Sequence, residues 1–131
     1  MINLTQHTAT ADQLAAGVVD LSPADRARLI VLLTVATVPT LADIRARCQA
    51  IADLAVGHDT AMVGGAPWMA APLEAALWVV DCVPFYAFSI RESAEAVVDG
   101  KTVKTSVFRH AGFVPGTVDE PWHTGFVEGS L

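Results

Sequence analysis

Residues 60–114 read TAMVGGAPWMAAPLEAALWVVDCVPFYAFSIRESAEAVVDGKTVKTSVFRHAGFV, and this stretch decides the fold. Thr60 to Val63 is a short apolar run that ends in Gly64-Gly65-Ala66-Pro67. A helix is expected from about Pro72 to Val80, then a strand from Val83 to about Val98, long enough to suggest a bulge. Asp99-Gly100 is a two-residue type I′ turn signal, and Lys101 to Val114 is the returning strand. Strand, turn, helix and strand in that order form a βαβ unit, so its two strands should be parallel. The fold class is therefore α/β, a small mixed sheet of about four or five strands with a βαβ unit, a C-terminal β-hairpin and N-terminal helices.

Upstream, Ile2 to Gln6 reads as a first strand, and three helices follow. Thr10 with Gln13 makes a capping box for a helix that stops near Gly17. Ser22, Pro23 and Asp25 open a second helix that runs to about Thr37. Thr40 and Asp43 open a third that ends at Gly57. In it Leu41, Ile44, Cys48, Ile51 and Leu54 form one apolar stripe, with Arg45 and Arg47 pointing away. Residues 1–114 read as a single domain and residues 115–131 as a Gly- and Pro-containing tail, whose Trp122 and Phe126 suggest docking.

Composition narrows the class. The 131 residues are 53% hydrophobic and only 17% charged, with mean hydropathy +0.45. That excludes intrinsic disorder and hints at surface buried in a partner. The longest apolar run, Leu29 to Val38, is broken by Thr34 and Thr37 and is too short to span a bilayer. The first residues lack the basic and apolar regions of a signal peptide. Cys48 and Cys82 lie in apolar surroundings and read as two reduced core thiols of a cytoplasmic protein. A net charge of −6 argues against coating long nucleic acid. No CxxC or HExxH spacing and no obvious carboxylate cluster occurs, so neither a metal nor another cofactor is expected.

The hairpin permits a register argument. With Asp99 and Gly100 as the loop, Val98 faces Lys101, Glu95 faces Lys104, Ser93 faces Ser106, Arg91 faces Phe108 and Ser89 faces His110. Ser89, Arg91, Ser93, Ser106 and His110 then share a polar face. Phe88, Ile90, Val107 and Thr105 share the other, which suits a core, and Arg109 and Glu92 fall there as diagonal neighbours. The polar face is either a plain solvated surface or part of a site rich in Ser, Arg and His. Four of the eight basic residues, Arg91, Lys101, Lys104 and Arg109, lie in this hairpin.

The Gly64-Gly65 turn is a tight turn, or a nest of backbone N–H groups that with the following helix receives a phosphate or carboxylate. Ligands gather at the carboxyl ends of parallel strands. The turn, the Ser89-to-Arg91 segment and the strand end at Asn3, Gln6 and His7 should meet at one sheet edge, although His7 could equally cap the first helix. Trp68 either stacks on a base or packs, and His58 and His123 read as solvated. Arginines bind phosphate bidentately and a histidine moves a proton near neutral pH. An anionic ligand, best a phosphodiester, fits this ensemble. With an RNA-type linkage the 2′-OH is the nucleophile, and the protein needs in-line positioning, charge stabilisation and a proton donor.

Residues 3–7, the Met62-to-Pro67 turn, the Tyr86-to-Ser93 strand and the Val107-to-Val114 strand together resemble a family of small CRISPR-associated (type III) ring nucleases, also carried by phages and plasmids. The resemblance covers residues 1 to about 114. It implies a metal-independent phosphodiesterase that cuts cyclic oligoadenylate second messengers to linear products, and a homodimer whose dyad suits a two-fold ligand. His110, or else His7, would be the general acid, Arg91 and Arg109 would hold phosphate, and Ser89 and Ser93 would position ribose or phosphate. Asn3, Gln6, Gly64, Gly65 and Trp68 complete the candidate binding set. A cyclic-nucleotide sponge or sensor that does not cut, and a protein-interaction domain, are the competing expectations.

Overall fold

A computed structural model describes residues 1–116. Its elements are β1 (Ile2–Asn3), α1 (Ala11–Ala15), β2 (Val19–Asp20), α2 (Pro23–Leu33), α3 (Leu41–Asp53), β3 (Thr60–Met62), α4 (Pro67–Val79), β4 (Val83–Val98) and β5 (Lys101–Pro115). They form an α/β fold with one five-stranded sheet in the order β2-β1-β3-β4-β5. β2, β1, β3 and β4 are parallel and β5 returns antiparallel to β4. Among the described residues no helix is long and apolar enough to cross a membrane. The expected docking of Trp122 and Phe126 and the position of His123 lie outside the described residues.

Alternation sorts the two faces of the sheet. Ile2 pairs with Ala61 and Ala61 with Pro84, so Ile2, Leu4, Ala61, Val63, Pro84 and Tyr86 project to one side. There they meet Leu29 of α2, Cys48 and Ile51 of α3, and Met69, Leu73 and Leu77 of α4 in one buried cluster. Both cysteines are free and fully buried, and burial pushes the Cys48 thiol up to about 11. The expected helix caps are present: Thr10 and Gln13 form the reciprocal box, and Ser22 and Thr40 accept from Asp25 N–H and Asp43 N–H.

Several boundaries differ from the sequence reading, each for a physical reason. The two-residue β2 carries no periodicity of its own and exists by pairing with β1. α2 stops at Leu33, not Thr37. Arg47 does not simply point away from the α3 stripe: its Nη1 donates to the Val31, Leu32 and Thr34 carbonyls and so finishes α2. Leu41, read as part of that stripe, is 56% exposed. α4 begins at Pro67, where the missing N–H of a first-turn proline costs nothing, and Pro72 lies inside it.

The largest correction concerns the hairpin. Its register is as read, from Val98 opposite Lys101 to Ser89 opposite His110, with a bulge between Phe88 and Ser89. Both turn residues have positive φ, 51° at Asp99 and 75° at Gly100, as a type I′ turn requires. The apolar face, however, is not core. Phe88, Ile90 and Val107 are 45%, 50% and 50% exposed, and Thr105 is exposed as well. β3 ends at Met62, opposite Phe85, so beyond that point β4 has β5 as its sheet neighbour. The ten pairs past the bulge form a two-stranded arm about 30 Å long at roughly 3.3 Å per residue.

Candidate functional site

The order β2-β1-β3-β4 reverses direction at β1. From β1 the chain crosses to β2 through α1, then returns over β1 to β3 through α2 and α3. In such sheets the gap between the carboxyl ends of the two diverging strands is where ligands settle. A cavity of about 640 Å³ opens there, lined by Thr5, Gln6 and His7 after β1 and by Gly64, Gly65 and Ala66 after β3. Thr10, the N-cap of α1, and Gln13 within it close one side, and Met62 and Ala87 supply wall. Met62 and Ala87 alternate away from the helix-covered face.

Local interactions hold the β1–α1 loop in place. Asn3 is 1% exposed. Its Nδ2 donates to the His7 carbonyl at 2.7 Å and to Asp20 Oδ1 at 2.8 Å. Its Oδ1 accepts from Thr5 N–H at 2.9 Å and Thr5 Oγ1 at 2.7 Å. Every donor and acceptor position of the amide is therefore used within the protein. Asn3 shapes the loop and has no free atom for a ligand. Asp20 of β2 also accepts from Ala9 N–H, and Arg26 Nη2 donates to the Gln6 carbonyl at 2.8 Å. These bonds use the loop's backbone and leave the Gln6 and His7 side chains exposed at the cavity.

The second wall is a turn followed by a helix. Gly65 has φ 113°, a conformation side chains disfavour, and a Cβ on Gly64 would lie 3.4 Å from Thr5. Ala66, the N-cap of α4, makes no side-chain cap bond, and Pro67 has no N–H. This helix end thus meets the cavity without a side-chain oxygen of its own to satisfy its donors.

Next along β4 comes the polar side of the arm. Ala87 lines the cavity, and Ser89, Arg91 and Ser93 follow on the same side by alternation. Arg91 Nε and Nη2 donate to Ser106 Oγ at 3.2 and 3.0 Å. His110, opposite Ser89, stacks obliquely on Phe113 with ring centroids 4.9 Å apart. Its Nδ1 is buried without a hydrogen-bond partner. Arg109 pairs with Glu92 at 3.2 Å on the opposite side of the arm, as the register implied. Glu92, Ser93 and Arg109 line a second, open hollow with Asp12 of α1.

The sequence-derived set thus divides in the structure. Gln6, His7, Gly64 and Gly65 line the switch-point cavity. Ser89, Arg91, Ser93 and His110 share the adjoining arm face. Arg109 is on the other face, and Trp68 is 46% exposed in the first turn of α4. Sequence reasoning missed Thr5, Thr8, Thr10 and Gln13 as wall residues, and Asp20 and Arg26 as supports of the loop. The polar residue in β2 was the available signal for Asp20. Among the described residues no group of three or more His, Cys, Asp or Glu side chains could hold a metal ion. No curated protein and no solved structure matches the chain. A family model matches residues 1–114, and the chain belongs to the family described as the uncharacterized protein MJ1673 family.

Proposed function

We propose that this protein binds a cyclic oligoadenylate at the β1/β3 switch point and cleaves it to linear products without a metal ion, which would switch off type III CRISPR signalling. The observation that carries the reading is the shared cavity of Gln6, His7, Gly64 and Gly65, with the Ser89, Arg91 and His110 face beginning at its wall. The anionic linkage would rest on the Gly64-Gly65 turn and the α4 N-terminus. Arg91 would exchange its Ser106 partner for a phosphate oxygen, a stronger charge-assisted bond. Ser89 and Ser93 would position the ribose or phosphate. Arg109 would first have to leave Glu92, so it plays the lesser part.

Chemically, the ribose 2′-oxygen attacks the neighbouring phosphorus in line and the bond from phosphorus to the 5′-oxygen breaks. The 2′-hydroxyl proton leaves to solvent or a base, and His110, or else His7, protonates the departing 5′-oxygen. The products are a 2′,3′-cyclic phosphate end and a 5′-hydroxyl end. Incubation with cyclic tetra- and hexa-adenylate in EDTA, read by mass spectrometry, tests the proposal. Linear products with those ends are expected. Rings left intact by stoichiometric protein would refute cleavage.

One observation favours a second reading, binding without cutting. His7 is the sole ionisable side chain among the cavity's described lining residues, and the guanidinium of Arg91 is already engaged by Ser106. A sponge of this kind would bind the ring tightly and show undiminished affinity in a His110→Ala variant.

A further inference from the structure

The two walls of the switch-point cavity differ in chemistry. The Gly64-Gly65 turn and the start of α4 offer backbone N–H groups. The β1–α1 side offers the side-chain amides of Gln6 and Gln13 and threonine hydroxyls, with apolar surface from Met62 and Ala87 between the walls. An anion suits the first wall. A flat heteroaromatic base, apolar on its faces and polar at its edge, suits the second.

The capping box sets Gln13 apart from the other polar residues of its wall. Its Oε1 accepts from Thr10 N–H at 3.0 Å, and Thr10 Oγ1 accepts from Gln13 N–H at 3.2 Å. Only the oxygen of the amide can accept from a backbone N–H, so the amide cannot flip without losing that bond. Nε2 has no acceptor among the described residues, and Gln13 lines the cavity. Gln6 differs: its backbone carbonyl is held by Arg26, but its exposed side-chain amide makes no internal bond and can present either atom to a ligand. Gln13 is therefore the amide that can discriminate. We propose that Gln13 reads the base, its Nε2 donating to N1 of an adenine seated on the β1–α1 side of the cavity. The inference rests on the nucleotide reading and assigns a base subsite to it.

N1 is the most basic ring nitrogen of adenine and its best acceptor for a fixed donor. Guanine and hypoxanthine carry a proton there, so they set donor against donor and leave both unpaired. The five-residue α1 contributes through this side chain and not as a helix end. Thr10 starts the helix, and the bond from its N–H fixes which atom of Gln13 the ligand meets.

Gln13→Glu separates the cap from the donor. Glutamate completes the same box, because its carboxylate also accepts from Thr10 N–H, so the thermal midpoint should not fall. The donor, however, becomes an acceptor. The probes for calorimetric titration are cyclic tetra-adenylate built on 2′-deoxyribose, which lacks the nucleophile and is not cut, and the same ring with 1-deazaadenine or 7-deazaadenine throughout. The adenine ring should bind Gln13→Glu at least about tenfold more weakly than wild type. The 7-deaza ring should show the same penalty. On the 1-deaza ring the penalty should shrink by about tenfold, because no acceptor is left to lose; repulsion between the new carboxylate and the phosphates is common to all three rings and cancels in the ratio. An equal penalty on all three rings, a penalty lost on the 7-deaza ring instead, or full affinity in Gln13→Glu overturns the base contact alone. A wild type that binds no adenine ring overturns the nucleotide reading and the subsite with it.

Discussion

Replacing Asn3 with alanine separates two roles that a polar residue at a strand end can have. The substitution removes two donors and two acceptors from a site that is 1% exposed. Thr5 N–H and the His7 carbonyl lose partners, and the Asp20 carboxylate keeps only Ala9 N–H among the bonds described for it. A neutral hydrogen bond contributes about 1 kcal/mol net and one to a charged group about 1.5–3 kcal/mol. The four bonds share one side chain and are not additive, so the loss should be about 3–4 kcal/mol. That is a large part of the roughly 5–15 kcal/mol that holds a domain folded. Urea denaturation followed by circular dichroism reads it as a lower midpoint at unchanged slope. Asn3→Asp should be at least as damaging at neutral pH, because a carboxylate cannot donate to Asp20 or to the His7 carbonyl. A loss below about 1 kcal/mol for Asn3→Ala, accompanied by lost ligand affinity, would refute the positioning role and make Asn3 a direct ligand contact.

Other perturbations follow from the same geometry. Gly65→Ala forces a side chain to φ 113° and should cost about 1–3 kcal/mol, visible as a lower thermal midpoint; an unchanged midpoint would mean that the turn is free to rearrange. Arg47→Ala strips three carbonyls at the end of α2 of their donor and should cost about 1–2 kcal/mol, with faster hydrogen exchange in the last turn of that helix as the diagnostic. Tyr86 is the chain's single tyrosine, so the pH-dependent rise in absorbance near 295 nm reports it alone, because the three tryptophans do not ionise. Burial, followed by its hydrogen bond to Glu74 Oε2, holds its phenol well above the ordinary range. The folded state keeps this proton while the unfolded state releases it near pH 10. Tyr86 therefore contributes stability that is full below about pH 10 and declines as pH rises from there toward the folded value. A normal tyrosinate titration in the folded protein would contradict the buried pair.

What could be read in the sequence was local. The register from Val98 opposite Lys101 to Ser89 opposite His110 follows from one dipeptide, Asp99-Gly100, because a two-residue loop leaves no freedom in the pairing. The caps at Thr10, Ser22 and Thr40 follow equally from side-chain chemistry within one turn. The missing parts depend on distant partners. Arg47 ends α2 across more than a dozen residues of chain, and Asp20 gives Asn3 its meaning only once β2 lies beside β1. The apolar side of the arm shows why an alternating pattern does not distinguish a core from an uncovered face. Phe88 and Ile90 alternate as core residues do, and only the shortness of β3 leaves them outside. For the site, the types of residue at the sheet edge were legible, but the reversal of strand order that opens the cavity between β1 and β3 was not.

The most direct test of the central claim, that a cyclic oligoadenylate binds at the β1/β3 switch point, is a titration of the amide proton–nitrogen spectrum with cyclic tetra- and hexa-adenylate. The account predicts saturable shifts concentrated at Gln6, His7, Gly64, Gly65 and Ser89, with the amides of the α3–α4 face unmoved. Saturable binding that shifts the α3–α4 face and leaves the Gly64-Gly65 turn unchanged would contradict it, as would a spectrum that neither ring perturbs.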